Sequence, residues 1–161
     1  MSLTLAEKHL AQFEVAHRIQ ILAQSSATVE QAAAALQCEP ARIAKSLTFS
    51  VGDDVILIVA AGDAKIDNKK FKQYFGVKAK MLAPDEVEAR VGHAIGGVCP
   101  FGVPETVDIF LDASLKRFDT VFPACGTSNS AIELSIAELE QFTNYQQWVD
   151  IGKGWQDDTP A

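Results

Sequence analysis

Two β-strand patterns separated by a short polar turn constrain the fold more than any other part of this 161-residue chain. Residues 46–51 and 55–61 are rich in β-branched, aliphatic and aromatic side chains, and Gly52-Asp53-Asp54 lies between them. Glycine and aspartate at such a position are typical of a hairpin turn. The second run is apolar throughout, which favours a central strand. The sequence therefore predicts an antiparallel pair in the middle of a sheet.

Helices and further strands are predicted on both sides of this hairpin. Thr28-Val29-Glu30-Gln31 carries a capping box at the start of a helix, and Pro40 begins a helical turn that places Lys45 at a helix-to-strand junction. Further helices are expected near residues 4–16, 68–75, 84–91 and 136–144, a helical turn near 114–118, and strands near 77–82, 107–111, 120–124 and 131–135. This mixture predicts an α+β domain with a curved mixed, barrel-like sheet and surrounding helices.

Length and composition predict one domain over residues 1–155 and a loose tail over 156–161. No apolar run approaches the roughly 20 residues that cross a bilayer, and the N-terminus lacks a secretory signal pattern, so we expect a cytoplasmic protein without a membrane span. Cys38, Cys99 and Cys125 are odd in number and far apart, which favours reduced thiols. No metal and no cofactor are expected.

The formal net charge of −7 is unevenly distributed. Residues 1–80 contain ten Lys and Arg against eight Asp and Glu (+2), whereas residues 81–161 contain four against thirteen (−9). This charge argues against broad, non-specific binding of nucleic acid, and no DNA partner is expected. Six lysines nevertheless lie close together, either as a local phosphate-facing patch or as a solvated helix surface: Lys65, Lys69, Lys70, Lys72, Lys78 and Lys80.

A glycine-rich segment over residues 92–104 contains four of the ten glycines and two of the six prolines. Such a loop can aim several backbone N–H groups at an anion or a developing oxyanion, or it can be a tight connection between strands. The spacings of phosphate-binding and dinucleotide-binding loops are absent. Within the segment, His93 could act as an acid or base or could order the loop, and Cys99 could be a nucleophile or a buried thiol.

Two other groups of residues could contribute to a site. Lys45 lies between apolar neighbours, so its side chain must snorkel, pair or face a cavity. Gly126-Thr127-Ser128-Asn129-Ser130 could bind a ribose, an α-amino group or a small side chain, or could satisfy a turn. No Ser-His-Asp set, HExxH motif or paired carboxylates are present, so an enzyme of this sequence would work by positioning its substrate.

Four segments in this order resemble the YbaK/ProX family, whose members are related to the editing domain of bacterial prolyl-tRNA synthetases. The segments are Thr28–Ala33, Ile43–Leu47, Gly96–Gly102 and Gly126–Leu134. The resemblance implies a hydrolase that removes wrongly attached amino acids from tRNA. A chain without a synthetase domain would do so in trans. We expect tRNA(Pro) carrying a small amino acid, alanine or cysteine, as the substrate.

The resemblance also implies roles for individual residues. Lys45 would engage the terminal adenosine end of the tRNA, while Gly96 and Gly97 would hold the ester carbonyl. A further set is expected to bind substrate: Ser46, His93, Pro100, Gly102, Gly126, Ser128 and Asn129. The partner would be the aminoacylated 3′ end of tRNA, with transient contact to prolyl-tRNA synthetase. A non-catalytic module that binds tRNA ends or a synthetase is the alternative.

Overall fold

The structure is a computed structural model that describes residues 2–25, 28–93 and 96–155. The α-helices of these residues are α1 (Ser2–Ala11), α2 (Val29–Leu36), α3 (Asn68–Phe75), α4 (Pro84–Val91) and α5 (Ile136–Phe142). The strands are β1 (Gln20–Ile21), β2 (Ile43–Val51), β3 (Asp54–Ala61), β4 (Lys65–Ile66), β5 (Val107–Asp112), β6 (Thr120–Pro123), β7 (Ser130–Ala131), β8 (Leu134–Ser135), β9 (Tyr145–Val149) and β10 (Gly152–Lys153). Short 3₁₀ helices cover Ala16–Arg18, Pro40–Arg42 and Ala113–Arg117.

Six of the strands form one mixed sheet in the order β8-β6-β2-β3-β5-β9. β2 and β3 pair antiparallel from Ala44 opposite Ala61 to Val51 opposite Asp54, and β3 pairs parallel with β5. The sheet curls into a half-barrel, and two short ribbons, β1–β7 and β4–β10, lie outside it. The predicted hairpin and the predicted α+β fold with a curved mixed sheet are therefore confirmed.

The central strand β3 is buried on both of its faces. Leu57 and Val59 pack into a large apolar cluster that includes Leu10 of α1. Ile58, which points to the opposite face, packs into a second cluster with Phe71 of α3. The sheet thus separates α1 from α3, and the position of β3 explains its uninterrupted apolar sequence.

Two helix starts follow the sequence signals closely. Thr28 and Gln31 form the predicted capping box at the start of α2. The Asp67 side chain accepts hydrogen bonds from the backbone N–H groups of Lys69 and Lys70 at the start of α3, and Gly76 ends that helix with a φ of +80°.

Several sequence predictions need correction. Residues 77–82 do not form a strand; they contact β2 through one isolated bridge between Met81 and Phe49, which is too short for a ladder. Lys45 lies inside β2, two residues beyond its start, because the strand begins at Ile43 directly after the 3₁₀ turn. The predicted strand over 131–135 consists of two short strands, β7 and β8. No sequence pattern predicted β9, whose middle is polar.

The predicted C-terminal tail and the lengths of the helices complete the description of the fold. Residues 156–161 lie outside the described residues. Within the described residues, every helix is too short or too polar to cross a bilayer.

Candidate functional site

A cavity of about 550 Å³ opens beside the middle of β2. Its walls come from β2, α2, the start of α4, the glycine-rich segment and the chain around β6 and β7. Apolar side chains such as Val29, Leu82, Val87 and Phe122 form most of the surface. A concave, largely apolar cavity with a few polar groups is typical of a small-ligand site.

The cavity exists because β2 is only partly covered on the side facing away from β3. β6 pairs with β2 only at Ile43 and Ala44, and the next backbone contacts on this side are at Thr48 and Ser50. Along an antiparallel pair, the N–H and C=O groups of successive residues point alternately toward the partner strand and away from it. The backbone groups of Ser46 therefore point in the same direction as those of Thr48 and Ser50. The N–H and C=O groups of Ser46 are therefore directed away from β3, toward the cavity.

Lys45 lies on the cavity wall and is half-buried. Its Nζ donates a hydrogen bond to the carbonyl oxygen of Gly62 at 3.3 Å. Gly62 packs so closely on Pro40 that an added Cβ would lie 2.0 Å from the Pro40 carbonyl oxygen, so this acceptor is held firmly. Burial lowers the pKa of Lys45, and the nearby carboxylate of Asp63 opposes that effect. The result is a fixed cationic group on an apolar wall.

Ser46 is a second polar residue on the wall of the same cavity. Its Oγ is buried and has no hydrogen-bond partner within residues 2–25, 28–93 and 96–155. A buried polar group without a partner costs about 1–3 kcal/mol. The arrangement is therefore suited to a ligand that hydrogen bonds to this hydroxyl.

The glycine-rich segment and the polar segment near residue 126 meet at the cavity. Gly96 lines the wall with a φ of +94°, a conformation that favours glycine. An added Cβ at Gly97 would lie 2.5 Å from the carbonyl carbon of Gly126 and 2.5 Å from the nitrogen of Thr127. This close backbone contact requires glycine at position 97. The structure thus places Lys45, Ser46 and Gly96 on the wall of one cavity and Gly97 against the backbone of Gly126 and Thr127. The catalytic and binding roles expected for these residues stay predictions.

The later part of the glycine-rich segment lies away from this cavity. His93 is fully buried, and its Nε2–H donates a hydrogen bond to the carbonyl oxygen of Phe101 at 2.6 Å. Gly102 donates its backbone N–H to Nδ1 of His9 at 3.0 Å, and Pro100 is buried at a different depression of the surface. His93, Pro100 and Gly102 therefore hold the segment in place and do not line the cavity.

Cys99 lies in the same buried region, and its Sγ is 3.5 Å from Nε2 of His93. Burial lowers the pKa of His93 and raises the pKa of Cys99 to about 12. Since a thiolate is the reactive form of cysteine, this environment disfavours Cys99 as a nucleophile.

The remaining predicted residues lie in the turn that follows β6. Gly126 supports Gly97, and Ser128 is exposed. Asn129 accepts a hydrogen bond on Oδ1 from Thr127 Oγ1 at 2.9 Å and donates from Nδ2 to the carbonyl oxygen of Leu22 at 3.3 Å. These residues form and anchor the turn, while the neighbouring Ser130 reaches the cavity.

Sequence reasoning missed two groups of residues. The apolar wall formed by Met81, Leu82 and Val87 carries no motif, because its composition matches that of any core. His9 also gave no signal, since its role depends on tertiary contacts. Its Nδ1 accepts the hydrogen bond from Gly102, and its Nε2–H donates to the carbonyl oxygen of Phe142 at 2.6 Å.

Comparison with known proteins agrees with this fold. Residues 23–142 match the aminoacyl-tRNA editing domain, and the chain belongs to this family, which is of the YbaK type. A solved structure of a candidate trans-editing enzyme for prolyl tRNA synthetase superposes with a TM-score of 0.85 and 28% identity, over 95% of this chain and 98% of that chain.

Two curated relatives place the chain among similar bacterial sequences. The uncharacterized protein YwhH of Bacillus subtilis (strain 168) is 55% identical over 97% of this chain and 100% of that protein. Proline--tRNA ligase of Geobacillus sp. (strain WCH70) is 29% identical over 125 residues, which are 77% of this chain and 22% of the ligase.

Proposed function

We propose that this protein hydrolyses mischarged aminoacyl-tRNA in trans, acting on tRNA(Pro) that carries alanine or cysteine. The observation that carries the proposal is that Lys45, Ser46 and Gly96 line one mainly apolar cavity. Membership of the editing-domain family supports the reaction, and the similarity to proline--tRNA ligase supports the choice of tRNA.

The cavity suits an ester that is already activated. Backbone N–H groups of the glycine-rich segment can stabilise negative charge on the ester carbonyl oxygen, and Lys45 can bind the polar end of the terminal adenosine. Water adds to the carbonyl carbon, the bond from that carbon to the ribose oxygen breaks, and the ribose oxygen takes up the proton that the water loses.

The lining supports substrate assistance in this step. Among the described residues that line the cavity, there is no histidine, cysteine or carboxylate that could act as a general base. A ribose hydroxyl of the tRNA can orient the water instead. The protein then contributes position and electrostatic stabilisation, which together account for large rate effects in enzymes.

The shape and chemistry of the walls favour a small amino acid. The cavity must hold both the terminal ribose and the amino acid within about 550 Å³. Its walls are mainly apolar, which favours the methyl group of alanine or the thiol of cysteine over a side chain that requires several hydrogen bonds.

The test is to incubate the purified protein with tRNA(Pro) charged separately with alanine, cysteine, serine or proline and to follow ester loss. We expect rapid loss of alanine or cysteine and retention of proline. Lys45→Met should reduce the rate by about 100-fold or more, which is roughly 2.7 kcal/mol of transition-state stabilisation. Lys8→Met on α1 is the matched control and should be as active as the wild type.

Two results would overturn the proposal. The first is that none of the four esters is lost faster than in buffer. The second is that Lys45→Met retains full activity while circular dichroism shows that it is folded. Binding of tRNA without cleavage would instead support the non-catalytic alternative.

A further inference from the structure

The ribbon formed by β4 and β10 carries two lysines directly opposite each other. Lys65 of β4 is the register partner of Lys153 of β10, and both side chains are exposed. Directly opposed like charges destabilise an antiparallel pair. Fold stability therefore does not account for this pair of residues, whereas an anionic ligand would.

Three carboxylates near the ribbon, all within the described residues, are engaged with other groups. Asp150 forms an ion pair with Lys70 at 3.2 Å, and Asp63 forms one with Arg117 at 2.5 Å. Asp67 accepts the two backbone N–H groups at the start of α3. Those hydrogen bonds lower the pKa of Asp67 most, and the charges of Lys153 and Lys70 lower it further.

Lys65 and Lys153 form no ion pair with any residue in the described part of the chain. The carboxylate of Asp67, whose pKa Lys153 helps to lower, is shared with the backbone of α3 and with Lys70. The ribbon therefore keeps an excess of positive charge at the surface.

This charge lies next to the candidate site. Lys65 is close enough to Lys45 to contribute to lowering the pKa of Lys45, after the larger effect of burial. Only two residues separate Lys65 from Gly62, which is the hydrogen-bond acceptor of Lys45. Lys69 and Lys72 of α3, which begins three residues after Lys65, are also exposed.

We propose that this surface, the basic ribbon of Lys65 and Lys153, binds the sugar–phosphate backbone of the acceptor stem of the tRNA whose 3′ end enters the cavity. The inference rests on the proposed function for the identity of the RNA. Phosphate contacts through lysine supply affinity without sequence information, which suits a surface that positions a duplex beside a reaction site. The net charge of −7 limits such binding to a local patch.

The experiment uses the double variant Lys65→Ala/Lys153→Ala and the control Lys8→Ala, which lies on the opposite side of the sheet. Fluorescence anisotropy measures the binding of uncharged tRNA(Pro) between 50 and 200 mM salt. Each phosphate contact contributes roughly 0.9 to the slope of log affinity against log salt. We expect the double variant to bind about tenfold more weakly, with a slope smaller by about 2, and the control to bind like the wild type.

Kinetic measurements distinguish the role of the ribbon from that of the cavity. The double variant should have a raised KM for alanyl-tRNA(Pro) at unchanged kcat, and it should cleave the alanyl ester of a CCA trinucleotide at the wild-type rate. Its melting temperature should equal or exceed that of the wild type because a repulsive pair is removed. Unfolding of the variant would contradict the view that the pair does not stabilise the fold.

The outcomes for the two proposals can be told apart. If the wild type cleaves no ester but binds tRNA with a salt slope that depends on the ribbon, the proposed function fails and the binding surface stands. If the wild type cleaves esters while the double variant binds tRNA with unchanged affinity and slope, the binding surface is overturned. The latter result would also be expected if the ribbon contacts a protein instead of RNA.

Discussion

The two halves of the glycine-rich segment have different surroundings. Gly96 and Val98 border the cavity, and Gly97 between them packs against the backbone of Gly126 and Thr127. Cys99-Pro100-Phe101-Gly102 is directed into the protein, where His93 and His9 bind its backbone. One continuous motif thus combines residues 96–98 at the cavity, called here the cavity-facing half, with residues 99–102, called the supporting half, which fix the loop.

The supporting half depends on a helix beyond the matched editing domain. The family match begins at residue 23, whereas α1 ends at Ala11. His9 of this helix bonds to Gly102, and an added Cβ at Gly102 would lie 2.7 Å from the carbonyl oxygen of Leu5. The geometry of the loop is therefore set partly by residues that the family match does not include.

The largest effect on stability is expected at Gly97, where the cavity-facing half packs against the backbone of Gly126. Gly97→Ala should destabilise the protein by about 3–5 kcal/mol, because the new methyl group would overlap backbone atoms of Gly126 and Thr127 that cannot rotate away. Urea denaturation measures the change. Gly52 provides the comparison, because it has a φ of +63° but open space around it. Gly52→Ala should lower the free energy of unfolding by only about 1 kcal/mol. Equal losses at the two positions would contradict the role of close packing.

A smaller effect is expected in the supporting half. His9→Ala removes hydrogen bonds to Gly102 and Phe142, so the free energy of unfolding should fall by about 2 kcal/mol. Deacylation by the folded fraction should slow through a lower kcat, since the loop is less firmly positioned. The exposed His17 provides the matched control, and His17→Ala should change neither property.

The buried His93 should make stability depend on pH. Burial depresses its pKa in the folded state below the usual value of about 6.5, so the unfolded chain binds more protons near that pH. The free energy of unfolding is therefore highest above pH 6.5 and should fall as the pH is lowered below it. Urea titrations at pH 7.5 and 5.5 measure this loss, and His93→Gln should reduce it. An unchanged pH dependence in that variant would argue against His93 as its source.

The smallest effect on stability is expected at Ser46. Ser46→Ala removes a buried hydroxyl without a described partner, so the free energy of unfolding should stay within about 0.5 kcal/mol of the wild type or rise. If the hydroxyl binds substrate, kcat/KM should still fall about tenfold, which is roughly 1.4 kcal/mol. A stable variant with wild-type kinetics would show that the Ser46 hydroxyl does not bind the substrate.

The sequence predicted the parts of the fold that depend on local physics. The hairpin at Gly52, the capping box of α2 and the end of α3 at Gly76 each follow from residue conformational preferences, and all three are observed. β9 escaped prediction because an edge strand with polar side chains lacks the apolar alternation of a half-buried strand.

The candidate site was predictable only in part. Lys45 and Gly96 could be singled out because a lysine among apolar residues and a cluster of glycines are unusual locally. The division of the loop into cavity-facing and supporting halves could not be predicted, since it depends on distant residues such as His9 and Gly126. The apolar walls were equally hidden, because a valine beside a ligand and a valine in a core have the same local sequence signal.

The gap in the pairing of β2 has a consequence for solubility. An open strand edge can recruit a strand from another molecule and start aggregation. Here the open stretch covers only Lys45–Leu47, and it ends at the pairing with β6 on one side and at the backbone contacts of Thr48 and Ser50 on the other. So short an interruption, with a cationic side chain in it, is a poor template for intermolecular strand pairing. A protein built in this way can keep backbone donors accessible to a small ligand without exposing an edge to other chains.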